Sequence, residues 1–303
     1  MTVLEVTFLG TSGSLPTSSR SLPSVLVRLE GVLVMLDCGE GAQRQMMRAK
    51  VGFNKRMHIL ISHMHGDHVL GLPGLVQSMS LLGRTKPLYI HGPEGIEGFM
   101  KAVEKYVPCQ LNFEVKVEEF HGNPVLEEEG FTVSATWVKH SQPTLGYAIV
   151  EKPKPGRFNP EEARRLGVPE GPLWKRLQKG ETVMVHGRRV SPRRVVGPPR
   201  PGKKLAYSGD TRPCRSLIAL AKDADLLIHE GTFSASMADK AKAYLHSTTV
   251  EAAQVALKAH VKRLALIHIS AIYGEEEEAA LLREAREVFP ETLLAQDLMK
   301  VEV

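Results

Sequence analysis

The sequence predicts an α/β protein built as one large layered domain. Three observations carry this. Short apolar runs of strand character alternate with stretches of helical periodicity on both sides of the chain's middle. The 303 residues contain no Gly/Ser linker that would divide two strand-rich halves into separate domains. Residues 151–202, rich in Pro and basic side chains, interrupt the alternation and read as a protruding insertion.

Taken in order, TVLEVTFL (2–9) and VLVRLEGVLVML (25–36) are strand-like, the second turning back at Gly31 as a hairpin. RMHILISH (56–63) is an apolar strand leading into a polar loop. VLGLPGLVQSMSLLG (69–83) has helical spacing with an interruption expected near Pro73. KPLYIHG (86–92) is a strand, GIEGFMKAVEKYV (95–107) an amphipathic helix and FTVSATWVKH (131–140) a further strand. Within the insertion only ETVMVHGRRV (181–190) has strand pattern. The alternation resumes with the strand KLAYSGD (204–210), the helix RSLIALAKDA (215–224), the strand DLLIHE (225–230) and the helix TVEAAQVALKAH (249–260). It ends with the strand RLALIHIS (263–270) and the helix EEEEAALLREAREVF (275–289). There is no internal repeat or low-complexity tract.

A composition of 43% hydrophobic and 24% charged residues excludes collagen, coiled coil and wholesale disorder. No stretch approaches the roughly 20 apolar residues of a membrane span, and MTVLEVTFLGTSG lacks the features of a signal peptide, so a cytoplasmic protein without a membrane partner is expected. Cys38, Cys109 and Cys214 form no CxxC pair and are read as core thiols. GTSGS near the start is not a phosphate-binding P-loop, since no GK[ST] follows. Net charge is +5, and the basic residues crowd 152–204, which favours a polyanionic partner.

The chemistry concentrates in Ser62-His63-Met64-His65-Gly66-Asp67-His68. In an extended segment the side chains at i and i+2 share a face, so His63 and His65 can hold one metal, while a turn at Gly66 lets Asp67 and His68 reach a second position. This HxHxDH behind an apolar strand differs from helical HExxH, whose i, i+4 histidines face one zinc, and favours a paired-metal site. Two metals need further donors, and the ends of other strands offer them in His140, Asp210 and His268. Asp210 is the natural bridge, because a carboxylate can bind two ions about 3.5–4 Å apart. Imidazole plus carboxylate suits zinc best, with manganese or another divalent ion also acceptable. His58, His91, His121, His186 and His260 lack such placement and are read as structural.

These residues, together with FLGTSGSLPTSSR (8–20), LDCGEGAQRQ (36–45), SGDTR (208–212), HEGTF (229–233), HSTT (246–249) and HIS (268–270), resemble the metallo-β-lactamase superfamily over nearly the whole chain. Within it they resemble the ribonuclease Z family of tRNA 3′ processing endonucleases. The resemblance implies an αββα sandwich of two packed mixed sheets with a protruding arm: a single domain over 1–303, with 151–202 as an inserted tRNA-binding arm. It implies two Zn2+ per chain, one held by His63, His65 and His140, the other by Asp67, His68 and His268, with Asp210 between them.

On that reading Asp67 accepts the proton of the attacking water, and His246, oriented by Glu230, protonates the departing 3′ oxygen. The bland alternative for His246 is a histidine at a helix start inside the capping segment HSTT. The stretch GVPEGP (167–172) followed by LWKRLQKGETV looks like the family's tRNA-gripping arm. RNA contacts are therefore expected at Gly167, Pro169, Gly171, Pro172, Lys175, Arg176 and Lys179, and at Arg20 near the N-terminus. Precursor tRNA is the implied partner, and a homodimer the implied assembly. Two positions depart from the family pattern: Ser21 follows Arg20 where Asn is usual, and Ile272 stands where the last histidine motif usually has Arg. Two other readings remain open at the level of sequence. One is a small-molecule hydrolase of the same superfamily, which would leave the basic insertion without a role. The other is a non-catalytic RNA-binding module with a structural metal, which the ligand-rich loop disfavours, because structural zinc sites are closed and four-coordinate.

Overall fold

The computed structural model describes residues 4–107 and 109–303, so Thr2 and Val3 of the first expected strand lie outside the described residues. The described chain divides into two compact units, one of residues 1–150 with 204–303, the other of 151–203.

The larger unit holds two seven-stranded sheets. In the first, the strands run Lys300–Glu302, Glu5–Gly10, Ser24–Leu29, Val32–Leu36, Met57–Leu60, Leu88–Gly92 and Val115–Glu119 from edge to edge. In the second they run Thr292–Leu294, Leu264–Ile267, Leu226–Glu230, Lys204–Tyr207, Thr144–Glu151, Phe131–Val138 and Leu126–Glu127. Each sheet is mixed: Val32–Leu36 through Val115–Glu119 are parallel neighbours, as are Lys204–Tyr207 through Thr292–Leu294, and the remaining pairs given are antiparallel.

Period-2 alternation explains the layering. Val25, Val27, Val34 and Leu36 join Phe131, Val133, Tyr147, Ile149 and Leu205 in one buried core fed by both sheets. The alternate positions face outward. Leu33, Met35, Ile59 and Ile61 pack under Leu72, Leu75, Val76 and Met79 of the helix Gly71–Leu81. On the other sheet Leu227, Leu264 and Leu266 pack under Ala252, Ala253 and Ala256 of the helix Thr249–Lys258 and Leu281 and Ala285 of Glu275–Val288. Helices therefore cover the outer face of each sheet, which is the αββα arrangement.

Local chemistry accounts for several boundaries. Glu30 and Gly31, at φ 50° and 81°, close the expected hairpin as the left-handed pair of a two-residue turn. The helix expected to break near Pro73 is instead divided at Leu70, and Pro73 sits in the first turn of Gly71–Leu81, where a missing N–H breaks no intrahelical bond. The expected strand 263–270 splits into Leu264–Ile267 and Ile269–Ser270, because His268 adopts φ 58° between them. Several segments of regular structure carried no clear signal, among them the helices Ala42–Arg48 and Ala238–Ala243 and the strands Val115–Glu119, Leu126–Glu127, Thr144–Glu151, Thr292–Leu294 and Lys300–Glu302.

The smaller unit packs its own core from Ala163, Val168, Leu177, Val183, Val185, Val190 and Val195. The strand pattern at 181–190 is a hairpin, Val183–Val185 with Arg188–Val190, turned by His186 and Gly187 at positive φ. Two short helices not foreseen, Pro160–Arg165 and Pro172–Gln178, complete it.

Candidate metal centre

All seven ligand-type residues expected from the sequence meet at strand ends, six of them at the carboxyl ends of parallel strands, where open α/β sheets place their ligands, and His140 after a strand with an antiparallel partner. His63, His65, Asp67 and His68 follow Met57–Leu60; Asp210 follows Lys204–Tyr207; His268 follows Leu264–Ile267; His140 follows Phe131–Val138. Their donor atoms fall into three clusters, His63/His65/His140/Asp210, Asp67/His68/His268 and Asp210/His246/His268, each within 4.8 Å. Asp210 thus reaches ligands of both expected sets.

The hydrogen bonds decide which nitrogen each imidazole offers. Ser62 Oγ donates to Asp37 Oδ2 at 2.8 Å, so it accepts from His63 Nδ1 at 3.0 Å and leaves His63 Nε2 with a bare lone pair. His140 Nδ1 donates to the Leu245 carbonyl at 3.0 Å, freeing its Nε2. Both lone pairs converge on His65 Nδ1, at 2.9 and 3.3 Å. One N–H on His65 can satisfy only one of them. Three nitrogens around a tetrahedral zinc would lie about 3.3 Å apart, so a cation among them satisfies all three.

The same logic holds on the other side. Thr232 Oγ1 donates to Glu230 Oε2 at 2.6 Å and accepts from His268 Nδ1 at 2.9 Å; His68 Nδ1 donates to Asp37 Oδ2 at 2.7 Å. The two inward Nε2 atoms face carboxylate oxygens, His268 at 3.3 Å from Asp67 and 3.2 Å from Asp210, His68 at 3.4 and 3.3 Å from the same pair. His68 Nε2 is buried and makes no hydrogen bond. Lone pairs aimed at carboxylates require a cation between them, a proton or a metal. The residues present therefore fit a divalent ion on each side.

Protonation behaviour agrees. Burial works to raise the Asp67 carboxyl, but the neighbouring His268 and His68 imidazoles hold it well below the ordinary range; Asp210, opposed by burial in the same way, is held down by His268, His68 and His63. Burial, with the neighbouring histidines, keeps His63, His65 and His140 neutral and able to ligate. His68 goes the other way: burial disfavours its charge, yet Asp210 and Asp37 push it well above an ordinary histidine. In the metal-free chain a proton on His68 supplies the positive charge the cluster demands.

His246 and Glu230 also meet. Glu230 is buried and accepts from His246 Nδ1 at 2.9 Å, Thr211 N at 2.7 Å and Ser247 N at 3.0 Å. Burial lowers His246, but Glu230 and then Asp210 raise it to about 9, so it is cationic near neutral pH. Its Nε2 is left for the cavity of about 260 Å³ that His65, Asp67, His140 and Asp210 share. HSTT is a capping segment as well, but the cap lies two residues on: Thr248, not His246, caps Thr249–Lys258 in a capping box with Glu251.

Sequence reasoning missed Asp37. It follows the strand Val32–Leu36 at φ 57°, is fully buried, and accepts from Ser62 N, Ser62 Oγ, His68 Nδ1 and the Tyr207 hydroxyl. Through Ser62 it orients His63 and directly it orients His68. An acidic residue ending an apolar strand inside LDCGEG was the available signal. Gly13 was likewise unassigned: a Cβ there would lie 2.5 Å from His268 Nδ1, so only glycine leaves that ring its place.

Arg20 is corrected. Its side chain is 5% exposed, clasped bidentately by Glu278 at 2.6 and 2.7 Å and bonded to Thr11 and the Ala295 carbonyl, so four of its five N–H groups are engaged within the chain rather than offered to RNA. The expected contacts in the smaller unit are exposed: Gly167, Pro169, Gly171, Pro172, Lys175, Arg176 and Lys179 all lie at its surface, with Arg176 paired to Glu181 at 2.7 Å.

Comparison with known proteins follows this geometry. A family model described as Anti-Pycsar protein Apyc1 matches residues 4–97, and one described as Beta-lactamase superfamily domain matches 174–269. The chain is 47% identical to ribonuclease Z of Methanosarcina mazei over 99% of this chain and 98% of that protein. The chain belongs to the ribonuclease Z family. Ribonuclease Z of Methanothermobacter thermautotrophicus is 46% identical over 99% and 97% of the two chains. Among solved structures, the short form of human tRNase Z superposes with a TM-score of 0.71 at 28% identity, covering 98% of each chain. A metallo-β-lactamase fold protein of Bacillus subtilis, at 20% identity and a TM-score of 0.69, shares the fold. Ribonuclease Z membership with a metallo-β-lactamase fold is thus established for this chain by full-length relatives.

Proposed function

We infer that this ribonuclease Z family member is a metal-dependent endonuclease that removes the 3′ trailer from precursor tRNA. The observation that carries the reading is the convergence of seven ligand-type side chains, with inward lone pairs, in a chain that matches ribonuclease Z end to end. His63, His65 and His140 would hold one divalent ion, Asp67, His68 and His268 the other, and Asp210 would contact both. Zinc suits these donors best, with manganese as an alternative. Bound there, the ions supply activated water and neutralise charge on the scissile phosphate.

The chain's own groups move the protons. Asp67, held ionised, takes the proton of the attacking water as its oxygen bonds to phosphorus. The bond from phosphorus to the 3′ oxygen of the tRNA body breaks, and cationic His246, steadied through Nδ1 by Glu230, delivers a proton to that oxygen from Nε2. Products are a tRNA with a 3′ hydroxyl and a trailer with a 5′ phosphate.

The smaller unit is assigned to tRNA binding: exposed Lys175, Arg176 and Lys179 beside Gly167, Pro169, Gly171 and Pro172 form a basic surface suited to backbone phosphates. A homodimer belongs to the same reading. Met47, Leu81 and Leu82, exposed on or beside the contacting helices Ala42–Arg48 and Gly71–Leu81, offer apolar surface for it. No helix among the described residues is long and apolar enough to cross a membrane, and the cytoplasm is the location proposed.

The test compares precursor tRNA with methyl p-nitrophenyl phosphate after deletion of residues 155–180. KM for precursor should rise strongly and its salt dependence flatten, while the small phosphodiester is hydrolysed as before. Retention of both activities by the variant would remove the tRNA-binding assignment.

A further inference from the structure

Among the described residues, one exposed aromatic side chain lines the cavity that holds the metal centre: Tyr244, 61% exposed. Its position is held at a conformational cost. The helix Ala238–Ala243 ends in a two-bond reversal, Leu245 N to Lys242 O at 3.3 Å and His246 N to Ala241 O at 2.8 Å, with Leu245 at φ 59° where helices ordinarily place glycine. That reversal sends three consecutive residues to three places. His246 enters the site, the Leu245 carbonyl receives His140 Nδ1, and Tyr244 is turned to the mouth of the cavity beside His65, Asp210 and His246.

We propose that Tyr244 is a stacking platform for the last nucleobase of the tRNA body. This rests on the endonuclease reading above and deepens it. The side follows from the role proposed for His246: both residues line the same cavity, so an acid acting there on the 3′ oxygen of the tRNA body puts Tyr244 beside the nucleotide carrying that oxygen. A flat aromatic face accepts every base, whereas hydrogen-bonded readout would select one.

The experiment is a two-by-two comparison of kcat/KM under single-turnover conditions. Wild type and Tyr244→Ala act on an intact precursor and on one abasic at the last nucleotide of the tRNA body. Stacking predicts that wild type loses about 5- to 150-fold on the abasic substrate, and that Tyr244→Ala loses the same factor on the intact one. The variant should lose nothing further on the abasic substrate, and Tyr244→Phe should match wild type throughout. Losses that multiply overturn the proposal, as does wild-type activity of Tyr244→Ala on the intact precursor. Coupling to an abasic first trailer nucleotide instead overturns the assignment of side. Failure of wild type to cleave the intact precursor at all would count against the endonuclease reading, not against the placement of Tyr244.

Discussion

Replacing Asp37 by Asn hardly changes volume and removes no proposed ligand, yet it should weaken metal binding through the ligand that Asp37 holds. Asp37 Oδ2 accepts from three donors, Ser62 Oγ at 2.8 Å, His68 Nδ1 at 2.7 Å and the Tyr207 hydroxyl. With an amide nitrogen in that place, the two hydroxyls can rotate and accept instead. The imidazole can adapt only by moving its proton to Nε2, the atom that faces Asp67 and Asp210. That tautomer cannot ligate. Outer carboxylates that fix a ligating histidine contribute about 10- to 100-fold in metal affinity, close to 1.4–2.7 kcal/mol. Ser62 should also lose its hold on His63, placing the loss on both clusters. The assay is competition for zinc against a chromophoric chelator, comparing wild type with the variant. Unchanged zinc affinity would show that Asp37 does not fix the ligating nitrogen of His68.

Three further outcomes follow from the same geometry. Gly13→Ala should push His268 out of place, since the new methyl would lie 2.5 Å from its Nδ1; metal analysis should show the Asp67/His68/His268 ion depleted with the fold retained by circular dichroism. His246→Ala should slow release of an alkoxide far more than release of a p-nitrophenolate, which leaves without an acid; equal slowing would assign His246 to positioning. Burial, with His58 adding, pushes His91 down to about 4 from an unfolded value near 6.5. The unfolded chain therefore binds the proton first, so stability is full above pH 6.5 and falls as pH drops from 6.5 to 4, by up to about 3 kcal/mol. Urea midpoints for wild type should trace that fall, and His91→Asn should flatten it.

The site was more legible than the scaffold around it. His63, His65, Asp67 and His68 sit within six residues, and His140, Asp210 and His268 are strand-end polar groups in otherwise apolar runs, so their chemistry shows in local pattern. Asp37 and Gly13 did not show, because each acts on an imidazole distant in sequence and only the fold brings it there. Arg20 was misassigned for the same reason: its partner Glu278 lies 258 residues away. Edge strands were hard to see. Val115–Glu119 is nowhere fully buried, and its charged residues weaken the apolar signal that identified the central strands. Thr144–Glu151 is buried on both faces over most of its length, so it lacks the alternation that marks a half-exposed strand.

On the proposed function, the converging imidazoles and carboxylates hold the ions required to cut precursor tRNA. The direct measurement is cleavage of a 3′-extended precursor by exhaustively chelated protein before and after zinc is returned, with metal content and product ends determined in the same samples. The account predicts no cleavage without metal and recovery at about two ions per chain, giving a tRNA 3′ hydroxyl and a trailer 5′ phosphate. Cleavage at full rate by metal-free protein, or a 2′,3′-cyclic phosphate on the tRNA, would contradict it.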